Sequence, residues 1–128
     1  MKKGYAFLPI ILVWMMISCT GQNSLGSLNT KQFSEKIANL ESITLMDVRT
    51  PEEYASGHIK GAINRDWSSG QFETEVGGFD KTRSYFLYCH SGQRSGSAAA
   101  WMRNHGFKNV YELHGGLSCW QSEGMPIE

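Results

Sequence analysis

Ser84-Tyr85-Phe86-Leu87-Tyr88 runs straight into Cys89-His90-Ser91-Gly92-Gln93-Arg94-Ser95, and the segment from Ser97 to Asn104 follows with Ala98-Ala99-Ala100-Trp101-Met102 at its centre. The opening five residues are aromatic and apolar, as suits a central strand. The alanine-rich run predicts a helix, which Gly106 stops. A polar loop bearing glycine, cysteine and arginine therefore joins a buried strand to a helix N-terminus. That order of elements, strand then loop then helix, decides how the flanking chain is read.

Upstream, Ile43-Thr44-Leu45-Met46-Asp47-Val48 is a second short apolar run, expected of a strand covered on both faces. Thr50-Pro51-Glu52-Glu53 reads as a capping box with proline preset for the first helical position, and Gly57 closes that helix. Before it, Asn29 caps a helix whose apolar positions Phe33, Ile37 and Leu40 recur at helical spacing. His58-Ile59 and Ala62-Ile63-Asn64 form a shorter extended piece, and Phe72 and Val76 suggest one helical turn between Trp67 and Gly78. Downstream, Val110 to Leu113 is a strand and Leu117 to Ser122 a last short helix. Alternating strands and helices imply an α/β domain with a mainly parallel central sheet and helices on both faces.

A cysteine in such a loop has a physical reason to be reactive. Backbone N–H groups of the loop converge on an anion, and the following helix adds positive potential. Both favour thiolate over thiol at Cys89. Gly92 permits the positive φ or close approach that the cradle needs. Arg94 supplies a planar cationic fork for an oxyanion, and Ser91 and Ser95 supply hydroxyl donors. The alternative for Cys89 taken alone is an inert buried thiol.

Three separated motifs resemble the single-domain rhodaneses, a sulfurtransferase family. Cys89 to Ser95 is similar to the active-site loop of small bacterial members. Asp47-Val48-Arg49 with Glu53-Tyr54 and Gly57-His58-Ile59-Lys60-Gly61-Ala62-Ile63-Asn64 resembles the N-terminal signature. Val110 to Leu117, through Trp120, resembles the C-terminal signature, although His114 stands where an acidic or small residue is common. The resemblance spans about Leu28 to Pro126 and implies a rhodanese-like three-layer fold.

It also implies a mechanism. Cys89 attacks the outer sulfur of a small anionic donor such as thiosulfate and becomes a persulfide; cyanide, a small thiol or a protein acceptor then takes the sulfur. Cys89 is the nucleophile, and His90, Ser91, Gly92, Gln93, Arg94 and Ser95 bind the donor and stabilise the persulfide. Related phosphatases and arsenate reductases have one more loop residue; here four residues separate Cys89 from Arg94. No cofactor is implied, and the scattered histidines match no metal-ligand spacing. The competing reading is a non-catalytic module that only carries a persulfide or binds a partner.

Nearby residues take scaffold roles: Asp47 and Arg49 pair with loop or helix neighbours, and His58 is a hydrogen-bonded structural histidine. His90 either assists anion binding or points to solvent. Trp67 and Trp120 are core aromatics or pocket walls. Cys119, one residue before Trp120, is a candidate resolving thiol for a Cys89 persulfide or a small buried hydrophobe.

The N-terminus reads differently. Met1-Lys2-Lys3 precedes thirteen uncharged residues, Tyr5 to Ile17, then small and polar residues. That run is shorter than the roughly 20 apolar residues of a membrane span and matches a signal-peptide core. Met16-Ile17-Ser18-Cys19 resembles a bacterial lipobox, with Met16 in place of the usual leucine. The expected organisation is a signal peptide over 1–18, a lipidated Cys19 and tether over 19–28, and the domain over 29–128. The chain is then an exported protein of the bacterial cell envelope, either a periplasm-facing lipoprotein held to the membrane through Cys19 or a soluble periplasmic protein.

The whole chain of 128 residues is 41% hydrophobic, with twelve basic and twelve acidic residues. This balance argues against nucleic acid as a partner. Removing 1–18 takes away Lys2 and Lys3 and leaves the remainder slightly acidic. Three cysteines cannot all pair within the chain, which argues against a disulfide framework.

Overall fold

In the computed structural model the segment Ser84–Tyr88 forms strand β4, and four of its five residues are buried. Ile43–Asp47 forms β2 alongside it, parallel and in the register Ile43 with Ser84 through Asp47 with Tyr88. The structure describes residues 3–4, 19 and 25–128. Asn109–Leu113 (β5) pairs with the other edge of β4, Ser27–Leu28 (β1) pairs with β5, and Ile63–Asn64 (β3) pairs with β2. The five strands among the described residues are parallel, in the order β1-β5-β4-β2-β3.

A parallel sheet must be covered on both faces, and side chains alternate accordingly. Tyr85, Leu87 and Cys89 face one core with Met46, Val48 and Val110. Phe72 and Val76 of α3 (Phe72–Val76) and Ala98, Ala99 and Met102 of α4 (Gln93–Asn104) close that core. Phe86 and Tyr88 face the opposite core with Leu45, under Phe33 of α1 (Thr30–Lys36) and Leu117 and Trp120 of α5 (Gly116–Ser122). Tyr54 of α2 (Pro51–Ser56) packs on this second face. The expected three-layer α/β architecture is borne out.

The caps expected at Asn29 and Thr50 are both reciprocal. Asn29 Oδ1 accepts from Gln32 N–H at 2.8 Å, and Gln32 Oε1 accepts from Asn29 N–H at 3.0 Å. Thr50 Oγ1 accepts from Glu53 N–H at 3.3 Å, and the Glu53 carboxylate reaches back to Thr50.

Three boundaries differ from the sequence reading. Helix α4 starts at Gln93, not Ser97, so Gln93, Arg94 and Ser95 form a helical first turn. Its N-cap is Gly92 at φ 101°, which lacks the side-chain acceptor by which a helix start is recognised. Leu40 lies beyond α1, exposed, and covers Gly61. Ser27 and Leu28, read as tether, belong to the sheet: Glu112 N–H donates to Gly26 O and His114 N–H to Leu28 O, each at 2.8 Å. The leader expected over 1–18 lies, apart from Lys3 and Gly4, outside the described residues, as does the tether segment 20–24.

Candidate active site

Helix α2 follows β2 on one face and leads outward to β3; α4 follows β4 on the opposite face and leads outward to β5. The two loops leaving β2 and β4 therefore diverge, and a crevice opens beyond the C-terminal ends of these strands. In open α/β sheets this switch point is where ligands bind. It holds the loop Cys89 to Ser95 on one side and Val48 to Glu53 on the other.

Cys89 is a free thiol, 1% exposed, at the base of that loop. Its Sγ accepts from Gly92 N–H at 3.0 Å and its thiol donates to Ser95 Oγ at 3.4 Å. Ser95, itself fully buried, donates to Gly92 O at 3.2 Å. The left-handed Gly92 turns its amide back onto the sulfur, a conformation that disfavours residues with a Cβ. His90, Ser91 and Gln93 are exposed around the rim.

The loop is held from behind by α5. Its first-turn amides have no partners within the helix, and the active loop supplies them: Leu117 N–H donates to Cys89 O at 2.8 Å and Ser118 N–H to His90 O at 3.0 Å. A Cβ on Gly116 would sit 2.5 Å from Cys89 O, so only glycine allows this approach. Gly116 thus shapes the site, although in the sequence it stands only as one residue of a signature.

Asp47 and Arg49 form a buried pair behind the crevice. Arg49 Nη2 donates to Asp47 Oδ2 at 2.7 Å and to Gly57 O at 2.6 Å. Asn64 Nδ2 donates to Asp47 O and Arg49 O, tying β3 to this loop. Tyr88 Oη accepts from Ile59 N–H at 3.0 Å, and burial pushes its hydroxyl pKa well up. His58 stacks on Tyr54, and its Nδ1 lies 2.9 Å from Tyr54 O. Trp67 packs against Phe72, and Trp120 is buried with Nε1–H on Pro126 O.

Arg94 stands at the rim, and its terminal nitrogens are engaged. Nη1 donates to Glu53 Oε1 at 2.7 Å and Nη2 to Oε2 at 3.0 Å. This pairing holds the Glu53 carboxyl down at about 2 and raises the Arg94 guanidinium. In the sequence Glu53 stands only as a cap and a signature residue; Arg94 lies 41 residues away, and the parallel pairing of β2 with β4 brings the two together.

Cys119 is not free. It is joined to Cys19 by a disulfide, which corrects the reading of Cys119 as a resolving thiol: a sulfur already in that bond has no thiol with which to attack a Cys89 persulfide. In the same state Cys19 has no sulfur valence left for a thioether-linked lipid.

The Rhodanese-like domain family matches residues 29–123. The chain belongs to the rhodanese family. A sulfurtransferase of Allochromatium vinosum is 32% identical over 100 residues, covering 78% of this chain and 92% of that one. The thiosulfate sulfurtransferase GlpE of Pseudomonas entomophila is 37% identical over 83 residues, covering 64% and 73%. Among solved structures, a rhodanese-related protein from Thermoplasma volcanium superposes with a TM-score of 0.67 at 28% identity, covering 80% of this chain and 96% of that one. The rhodanese family accounts for the fold and links the chain to sulfur transfer in general.

Proposed function

We propose that this rhodanese domain transfers a sulfane sulfur through a persulfide on Cys89, from a donor such as thiosulfate to cyanide or a thiol, including a protein thiol. The observation that carries the reading is the Gly92 N–H donating to Cys89 Sγ at the switch-point crevice. That amide stabilises negative charge on sulfur without any reorganisation at the moment of attack. The Cys89 thiolate attacks the outer sulfur of thiosulfate; the sulfur–sulfur bond breaks, and its electron pair leaves with sulfite. The product is Cys89–S–S⁻, whose terminal sulfur is then attacked by the acceptor, regenerating the thiolate. Two half-reactions of this kind give ping-pong kinetics.

A thiosulfate:cyanide assay on the wild type and Cys89→Ala tests the enzyme. Turnover in the wild type that is abolished in the variant supports it; equal, negligible turnover in both overturns it. Intact mass after thiosulfate treatment separates the carrier reading, in which Cys89 gains one sulfur atom without turning over.

The charged start, apolar run and Cys19 support export to the bacterial cell envelope. Lipidation of Cys19 and its disulfide with Cys119 exclude each other, and the disulfide fits the soluble periplasmic form, since such bonds persist in oxidising compartments. Membrane fractionation of wild type and Cys19→Ala decides: release by the substitution supports the anchor, and equal solubility of the two opposes it.

A further inference from the structure

Arg94 is the cation of the active loop, and Glu53 occupies its fork in bidentate fashion. The carboxylate is not there by drift. Glu53 is the N3 residue of the capping box that starts α2, so the same side chain that reaches back to Thr50 presents its oxygens to Arg94. Behind the crevice, Asp47 cancels Arg49 in the same way. The Glu53–Arg94 and Asp47–Arg49 pairs thus bring together two guanidiniums and two carboxylates, and the side-chain charges within these two pairs sum to zero. What remains to attract an anion is the backbone: the Gly92 amide and the N-terminal end of the twelve-residue α4.

Such a site has a consequence for substrate charge. A backbone cradle suits the single negative charge of a sulfane sulfur. A second negative charge on the donor meets the Glu53 carboxylate at the rim, where both partners of the pair remain about one-third exposed. Resting on the sulfur-transfer reading above, we propose that Glu53 is a specificity-determining residue: by occupying Arg94 it turns the site away from doubly charged donors and toward singly charged sulfane-sulfur anions such as alkyl thiosulfonates and alkyl persulfides.

The donor pair that isolates charge is thiosulfate against methanethiosulfonate. In both, Cys89 thiolate takes the outer sulfur and the sulfur–sulfur bond breaks. The electron pair leaves with sulfite, a dianion, in the first case and with methanesulfinate, a monoanion, in the second. The persulfide formed is the same, and the intrinsic difference between the two leaving groups is common to every variant, so a change in the donor ratio from one variant to the next reads the donor's charge.

The experiment measures kcat and KM for both donors in the wild type, Glu53→Gln and Glu53→Gln/Arg94→Gln. Glutamine keeps the capping box, which accepts Glu or Gln at N3, while removing the charge. Glu53→Met repeats the measurement with no oxygen left to hold Arg94. The expected result is a rise of about tenfold in the thiosulfate-to-methanethiosulfonate ratio of kcat/KM, carried by KM and shrinking as salt is added. The double variant loses that gain, because the released cation is gone. A ratio within twofold of wild type in both single variants overturns the proposal, as does a gain that survives in the double variant. Intact mass of the wild type separates this from the sulfur-transfer reading: sulfur on Cys89 with an unchanged ratio sinks charge selection alone, and no sulfur from either donor sinks both.

Discussion

Two arginine–carboxylate pairs flank the same crevice, and burial gives them different work. In Asp47–Arg49 the side chains are 0% and 5% exposed. Asp47 also accepts from the Arg49 backbone N–H at 2.9 Å, and Arg49 spends a further donor on Gly57 O. Burial alone would loosen the Arg49 proton, yet Asp47 outweighs it and the guanidinium is held more firmly charged. This pair bolts the end of β2 to the end of α2. In Glu53–Arg94 the exposures are 35% and 30%, and water competes for every group. One geometry is a structural lock and the other a charge setting at the rim, because the cost of an uncompensated charge rises steeply with burial.

The largest effect falls on Asp47. Asp47→Ala leaves Arg49 charged and buried without its partner, which costs about 3–5 kcal/mol. Thermal unfolding of a domain this size then falls by more than about 10 °C. A loss below about 1 kcal/mol in urea titration would place the two pairs in one class and remove the distinction.

How much of this was legible beforehand follows from sequence distance. The loop Cys89 to Ser95 could be read because strand, turn glycine, cation and helix are adjacent in the chain. The scaffold role of Asp47 and Arg49 could be read as well, although their pairing with each other, two residues apart, could not. Glu53 and Arg94 lie 41 residues apart, and only the β2–β4 register brings them together. Cys19 and Cys119 are 100 residues apart, and three cysteines leave the pairing open. Strand β1 has two residues, too few for any alternation, and is defined by the β5 groups it meets. The start of α4 was missed because Gly92 makes the cap with its backbone, bent to serve the sulfur.

A third carboxylate, Glu112, has no arginine hydrogen-bonded to it among the described residues. Its Oε2 is buried without a hydrogen-bond partner among the described residues, beside Gly96, and burial raises its pKa, with Arg103 and His114 only partly offsetting this. A carboxyl whose folded pKa is raised contributes stability below its unfolded pKa and loses it as pH rises through the folded value. Glu112→Met, which removes the stranded acceptor and fills the same space, is expected to stabilise the domain by about 1 kcal/mol at pH 7. The gain fades as pH falls toward about 4. Urea midpoints at the two pH values check it, and a loss of stability at pH 7 would mean that Arg103 or His114 supports Glu112 after all.

The smallest effect belongs to the rim pair, because both of its side chains are partly exposed to water. Glu53→Gln removes an ion pair that water already screens, so its cost is about 0.5 kcal/mol at low salt. Glu53 has the opposite sign to Glu112. Its folded pKa is depressed to about 2 by Arg94, so the stability it contributes is present above the ordinary carboxyl range and is lost as pH falls toward about 2. Wild type and Glu53→Gln should therefore differ at pH 7 and converge between pH 4 and pH 2, and the difference at pH 7 should shrink in about 1 M salt, where the screening length is about 3 Å. Asp47→Ala, measured in the same salt series, should keep nearly its full deficit, because salt does not enter the space that Arg49 and Asp47 share. Equal salt sensitivity of the two variants would show that burial does not separate the pairs, and the assignment of one to scaffold and the other to specificity would fall with it.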